Sequence, residues 1–407
     1  MTATSELFVV LQDGSSTSAR GFKAGALAAG IKPSGRPDLG IWASEVPCVA
    51  VATFTQNTFP AAPVMLSRER LQLAPRAQAV VFNAGNANAC NGDRGLRDAR
   101  EMAELAAARM GIAAELVLVA ETGIIGEPLP MDRVRAGLAR VELNADGGRA
   151  AAEAIMTTDT RRKDCAVSVE VGGKEVRIGA MTKGVGMIYP NMATMLAFVG
   201  TDAALEPAFA RLALKAVVDK TFNMITVDGD TSTNDSCFLL ANGLSGAPEL
   251  TADHADANRF VAGLEAVCID LARRMAADGE GAEKLLQVDV TGAASDDDAR
   301  KAARAVVGSP LVKSALHGQD PNWGRIFAAV GYSGARVDPM RAALWIGSVQ
   351  IARDGVATGA SKADASAEMR GDEVTFHVDL GLGTGTARAW GCDLTEGYVV
   401  ENSAYST

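Results

Sequence analysis

One hydroxyl, Thr194, stands where a glycine-rich loop gives way to an apolar run. The stretch from Met181 to Asp202 reads MTKGVGMIYPNMATMLAFVGTD. Gly184, Gly186 and Pro190 exclude an uninterrupted helix or central strand through its first half. The run that follows suits a buried strand. An interior threonine is ordinarily a core residue bonded to a neighbouring carbonyl. Here Lys183 lies upstream, the small Ala193 directly precedes the hydroxyl, and two glycines free the backbone. Such a loop can hold the Ala193–Thr194 peptide in a strained geometry for attack by the hydroxyl of Thr194 itself. A second candidate is Thr122-Gly123 at the end of the apolar run Leu116–Ala120, where a hydroxyl beside an unobstructed glycine N–H could stabilise an oxyanion. A third is Glu280, a carboxylate between Gly279 and Gly281 at the close of a long helical pattern. A solvated helix end is its ordinary role.

The elements that must position these groups are legible in outline. Cys165–Lys183 is a hairpin: two alternating segments flank Gly172-Gly173, and the second runs straight into the Thr194 loop. That loop therefore hangs from an antiparallel sheet. Upstream, Gly21, Gly25, Gly30, Gly35 and Gly40 argue against long helices, and Cys48–Thr55 and Ala79–Phe82 read as strands. Asn83, Asn86, Asn88 and Asn91 are loop-builders first. Leu96–Met110 repeats apolar residues at helical spacing, and Met131–Val141 and Gly147–Ile155 form shorter helices. The polar cluster Met156–Thr160 either caps an element or lines a site. Downstream, strands and helices alternate. Phe209–Phe222, Asn258–Ala277 and Ser295–Leu316 read as helices, and Met224–Val227 reads as a strand opening into Asp228–Asp235. That loop superficially suggests calcium but lacks the glutamate and helix pair of a calcium loop, so no metal is expected. His317–Arg325 reads as a structured loop rather than a triad. Residues 341–407 are β-rich. Gly381–Gly385 lacks the following helix that a dinucleotide site needs. The tail has the character of a docked end.

Composition narrows the function classes. The chain has 407 residues, enough for two domains or more. Asp and Glu number 49 against 39 Lys and Arg, a net charge of −10 with no basic block, which argues against nucleic-acid binding. No apolar run suggests a membrane helix or a secretory leader. Six scattered cysteines and three histidines fit buried thiols in a reducing cytoplasm rather than disulfides or zinc.

Lys183-Gly184-Val185-Gly186-Met187-Ile188 followed by Asn191-Met192-Ala193-Thr194-Met195-Leu196 resembles the self-cleavage segment of the glutamate N-acetyltransferase/ornithine acetyltransferase family of arginine biosynthesis. Thr122-Gly123, Met156–Asp159, Asp228–Asp235, Asp278–Gly281, His317–Arg325 and Glu401–Thr407 resemble further family signatures, in the family's order. The resemblance implies self-cleavage between Ala193 and Thr194 into residues 1–193 and 194–407, both contributing to one active site. Thr194 is then the N-terminal nucleophile and carries acetyl from N-acetylornithine to glutamate. Thr122 and Gly123 form the oxyanion hole, and Thr157, Lys183, Thr194, Glu280, Asn402 and Thr407 contact substrate. Lys183 and Glu280 supply the opposite charges that an amino-acid substrate requires. The implied fold is two-domain α/β (α+β), with stacked β-sheets between helix layers in the larger domain and a smaller α/β domain. The implied assembly is α2β2. No cofactor is implied, and whether acetyl-CoA also donates stays open. Two rivals stand: a self-cleaving amidohydrolase or aminopeptidase, and an uncleaved binding protein in which Thr194 is core.

Overall fold

The computed structural model describes residues 7–189 and 195–404. The larger part is one nine-stranded sheet: β1 (Val9–Val10), β2 (Phe22–Leu27), β3 (Leu39–Phe54), β4 (Arg76–Asn86), β5 (Val117–Ile124), β6 (Lys163–Val171), β7 (Lys174–Lys183), β8 (Leu196–Thr201) and β9 (Ser236–Ala241). The spatial order is β1-β6-β7-β8-β9-β3-β4-β5, with β2 also on β3.

The long strand β3 makes this sheet two layers. Its first half pairs with β2 and β4, its second half pairs with β9, and a register shift falls between Ala43 and Cys48. Phe22, Trp42, Phe82, Phe198 and Phe238 from both halves meet in one core, with Phe22 stacked on Trp42 at a centroid distance of 4.9 Å. Side chains alternate across each strand, so the outward-facing residues need separate cover. Helices Ala62–Leu73, Gly92–Met110 and Met131–Leu138 cover the β3–β5 layer. Helices Pro207–Lys220 and Ala257–Ala277 cover the β6–β9 layer. The expected stacked layers between helices are present, joined through one bent strand.

The second sheet is smaller: β10 (Leu285–Ala293), β11 (Ala343–Ile346), β12 (Val349–Arg353), β13 (Val356–Ala357), β14 (Glu373–Asp379) and β15 (Gly385–Cys392), in the order β13-β12-β11-β14-β10-β15. Val288, Val290 and Trp390 of this sheet share a core with Leu271 and Met275 of helix Ala257–Ala277.

Four expectations change. Ser295–Leu316 is two helices, Asp296–Gly308 and Pro310–His317. Pro310 has no N–H for a continuing helix, and Ser309 caps the second one by accepting from the Val312 N–H. The Met224–Val227 segment forms no strand, because Val227 and Thr226 bond instead to Ile188 O. The tail is helical over Glu396–Ala404. Of the cysteines, Cys48, Cys237, Cys268 and Cys392 are buried, but Cys90 is exposed and Cys165 half-buried.

Candidate active site

The sheet delivers the sequence-predicted residues to one cleft of about 900 Å³. Thr122 and Gly123 end β5, Lys183 ends β7, and Thr157 follows helix Gly148–Ala154. Glu280 follows helix Ala257–Ala277, and Asn402 lies on the tail helix. All six line the cleft. Ala193, Thr194 and Thr407 lie outside the described residues. The described residue that follows Thr194 in the chain is Met195, whose N–H donates to Asp235 Oδ1 at 3.0 Å.

The oxyanion candidates sit where the parallel β4–β5 ladder ends, with Gly85 opposite Gly123. Gly123 has φ +132°, and a Cβ there would lie 2.3 Å from the Gly85 carbonyl carbon. Only glycine permits that approach. Lys183 Nζ donates to Thr122 Oγ1 at 3.4 Å, which leaves the Thr122 O–H proton free to point elsewhere. Burial lowers the Lys183 pKa, and Asp159 and Glu280 act in the opposite direction.

Glu280 faces Lys183 from the other half of the chain. Its Oε1 accepts from Thr158 Oγ1 at 2.7 Å and its Oε2 from Asn402 Nδ2 at 3.0 Å. The carboxylate packs directly over Gly186, where a Cβ would meet Oε2 at 2.3 Å. This accounts for a glycine in the loop better than backbone freedom alone. Glu280 N–H also donates to Val185 O at 2.9 Å, so the loop and the helix end form one wall.

The Asp228–Asp235 loop holds the other side of the same segment. Asp228 accepts from the N–H groups of Met187 at 2.6 Å, Ile188 at 2.9 Å and Asp230 at 3.1 Å, and burial raises its pKa. Asp235 is fully buried with its pKa pushed well up by that burial. Its carboxyl lies one residue beyond the β8–β9 ladder, which pairs Leu196 with Ser236. The sequence marked this loop without separating these two roles.

The asparagines at the end of β4 and in the loop after it brace that segment from within rather than line the cleft. Asn83 Nδ2 donates to Asn86 O, Asn86 Nδ2 to Glu127 O, and Asn91 Nδ2 also to Glu127 O. Asn88 donates to Gly95 O at 2.9 Å and to Glu121 Oε1 at 3.0 Å. Glu121, directly before Thr122, is fully buried, and burial pushes its pKa from 4.5 up to about 8. The unfolded chain releases this proton near pH 4.5 while the folded protein keeps it up to about pH 8, so folding stability declines with rising pH across that window. Glu121→Gln should abolish this component. Midpoints of thermal unfolding at pH 5 and pH 8 should then differ less in the variant than in the wild type, and parallel pH profiles would refute it.

His317 is not paired with Asp320. It ends its helix beside Asp393 at 3.3 Å and Glu396 at 3.5 Å, outside the cleft, and Asp320 bonds Asn322 and Lys362. The segment forms no triad, but it is a loop only over residues 318–322: His317 closes one helix, and Trp323, Gly324 and Arg325 open the next, Trp323–Tyr332.

Sequence reading passed over Asp159, Lys163 and Asp278 as a set. Lys163 is only 1 % exposed. Its Nζ donates to Asp159 Oδ1 at 2.8 Å and to Asp278 Oδ2 at 2.6 Å. No local signal marks Lys163, because Arg161, Arg162 and Asp164 around it read as an ordinary polar strand start.

Two β layers between helices, with a lysine and a glutamate on facing walls beside a Thr-Gly strand end, define an α/β enzyme for a small charged molecule. The chain belongs to the ArgJ family, whose profile matches residues 23–407. It is 54% identical over 398 residues to the arginine biosynthesis bifunctional protein ArgJ of Symbiobacterium thermophilum, spanning 97% of this chain and 99% of that one. With the protein of the same name from Thermus thermophilus it shares 49% over 388 residues, spanning 95% and 98%. A crystal structure of arginine biosynthesis bifunctional protein ArgJ from Bacillus halodurans aligns with a TM-score of 0.50 at 46% identity, covering 51% of this chain and 98% of that solved chain.

Proposed function

We propose that the chain is a self-cleaving acetyltransferase of arginine biosynthesis, which moves acetyl from N-acetylornithine to glutamate through an acetyl ester on Thr194. The observation that carries the reading is the convergence on one cleft of Thr122, Gly123, Thr157, Lys183, Glu280 and Asn402. An oxyanion pair and two opposite charges suit an acyl group attached to an amino acid.

In the maturation step the Thr194 hydroxyl adds to the Ala193 carbonyl and the Ala193–Thr194 C–N bond breaks. The nitrogen leaves as the Thr194 α-amine, and water hydrolyses the resulting ester to the Ala193 carboxylate and the free hydroxyl. The released amine, with an unperturbed pKa of about 7.7–8.0, serves as general base for its own hydroxyl. That hydroxyl attacks the acetyl carbonyl of N-acetylornithine, ornithine leaves, and the glutamate amine takes the acetyl from the ester. Thr122 O–H and Gly123 N–H stabilise each tetrahedral oxyanion. Lys183 meets the substrate carboxylate and Glu280 its ammonium, with Thr157, Asn402 and Thr407 completing the contacts. A solved relative about half this chain's length, beside relatives matched end to end, supports a two-piece enzyme. The same family resemblance carries an α2β2 assembly and a cytoplasmic setting. Among the described residues no helix is long and apolar enough to cross a membrane. Acetyl-CoA enters as a second donor, in keeping with the relatives' name.

The purified protein should convert N-acetylornithine and glutamate to ornithine and N-acetylglutamate in equal amounts. Ornithine without matching N-acetylglutamate would replace transfer by hydrolysis. Acetyl-CoA with glutamate, followed as free thiol, tests the second donor.

A further inference from the structure

Behind the cleft wall lies a buried ionic cluster that the reaction does not use directly. Lys163 opens β6 opposite Thr182 of β7, one residue before Lys183. All three of its N–H donors are engaged, by Asp159 Oδ1, Asp278 Oδ2 and, at 3.2 Å, Arg161 O. Asp159 passes the connection on: its Oδ1 also accepts the Gly184 N–H at 2.9 Å and its Oδ2 the Thr157 N–H at 3.1 Å. Asp278, the C-cap residue of helix Ala257–Ala277 and two residues before Glu280, takes the Thr160 N–H at 3.1 Å and the Arg161 N–H at 3.3 Å.

We infer that Lys163 is a positioning residue: through Asp159 and Asp278 it clasps the Thr157 turn, the Lys183–Gly184 strand end and the Glu280 corner into one geometry. The inference rests on the function proposed above. Each of the three clasped segments carries one residue assigned to substrate, and Lys163 lines none of the cleft. The clasp also crosses the proposed cut, since Asp159 and Lys163 precede Thr194 and Asp278 follows it. Ion pairs this buried, 1 % and 7 % exposed at the Lys163–Asp278 contact, are geometrically demanding, because losing one partner strands a charge without water. Their directionality suits the task of fixing a separation between two walls. Lys183 and Glu280 must stand a substrate's length apart, and packing alone sets such a distance less sharply.

The test is a comparison of Lys163→Met, Lys163→Arg and wild type, each shown folded by circular dichroism and processed by intact mass. With a misplacement of order 1 Å costing up to about 10²-fold, Lys163→Met should raise KM for both N-acetylornithine and glutamate about tenfold or more, with kcat at saturation changed far less. Lys163→Arg, which keeps the charge, should recover part of the KM. Unchanged KM values in folded Lys163→Met, or kcat and KM altered only in proportion to lost folded protein, would overturn the assignment. Should Lys163→Met not accumulate, Asp278→Asn gives the same reading, because it weakens one arm and leaves the Asp159 arm in place; a normal KM there overturns it equally. Wild-type transfer in the same assay separates the two levels. Its absence would sink the proposed reaction itself, whereas wild-type transfer with unaltered variant KM would sink only the clasp.

Discussion

Thr194→Ala should accumulate as a single chain of 42.1 kDa and transfer no acetyl, whereas the wild type should resolve into two species by intact mass. The two defects share one cause. In the proposed mechanism the hydroxyl that opens the Ala193–Thr194 bond is the one that later carries the acetyl group, and the amine that serves it exists only after the cut. Removing a covalent nucleophile commonly lowers kcat by on the order of 10⁴-fold or more. The residual rate should therefore fall below detection in an ornithine-release assay. A wild-type preparation that stays at 42.1 kDa yet transfers acetyl at full rate would dismiss the nucleophile. Binding of N-acetylornithine to Thr194→Ala, followed by calorimetry, separates a lost nucleophile from a lost pocket.

The second large effect is expected at Gly123. An alanine Cβ there would stand 2.3 Å from the Gly85 carbonyl carbon and 2.5 Å from the Asn86 nitrogen, at a φ of +132°. Both obstacles are backbone, so β4 and β5 must part or the peptide must turn. Either movement displaces the Thr122 hydroxyl and the Gly123 N–H together. Loss of one oxyanion donor costs on the order of 10²–10³ in kcat, and Gly123→Ala should reach that range with KM little altered. The strain itself should cost about 1–3 kcal/mol of stability, visible as a lower unfolding midpoint. Gly126→Ala is the control. Gly126 also has positive φ, at +83°, but a Cβ there meets nothing within 4 Å. Equal kcat values in the two variants would remove the oxyanion assignment.

How much of this was legible depended on range. The Cys165–Lys183 hairpin announced itself through alternation and Gly172-Gly173, and the observed register pairs Val171 with Lys174 across that turn. Thr122-Gly123 was legible as a strand end because chain direction and glycine freedom are local properties. The break at Pro310 was equally local and was passed over: apolar spacing ran on through it, although Ser309-Pro310 is a helix-start signal. Met224–Val227 read as a strand because its side chains are apolar, but strands are made by partners, and its neighbours in space are Ile188 and Trp390. The clasp was least legible of all. Lys163 and Asp278 are separated by 115 positions, and no pattern near Lys163 marks it as buried. Glu280 is likewise a cleft wall through its contact with Gly186, a residue far from it in the chain.

The position of β8 has a consequence for how such an enzyme can be made. This strand is hydrogen-bonded on both edges, to β7 on one side and β9 on the other. In the two-piece enzyme proposed above, β7 belongs to the first piece and β8 to the second. A first piece produced alone would expose the β7 edge, and a second piece alone would expose a β8 edge of six apolar or small residues. Unpaired edges of this kind recruit other chains. Encoding both pieces as one polypeptide lets the ladder close while the ends are still tethered, and the covalent link becomes dispensable only afterwards. In that proposal cleavage follows assembly of the sheet, which survives the cut because β8 is already paired on both edges.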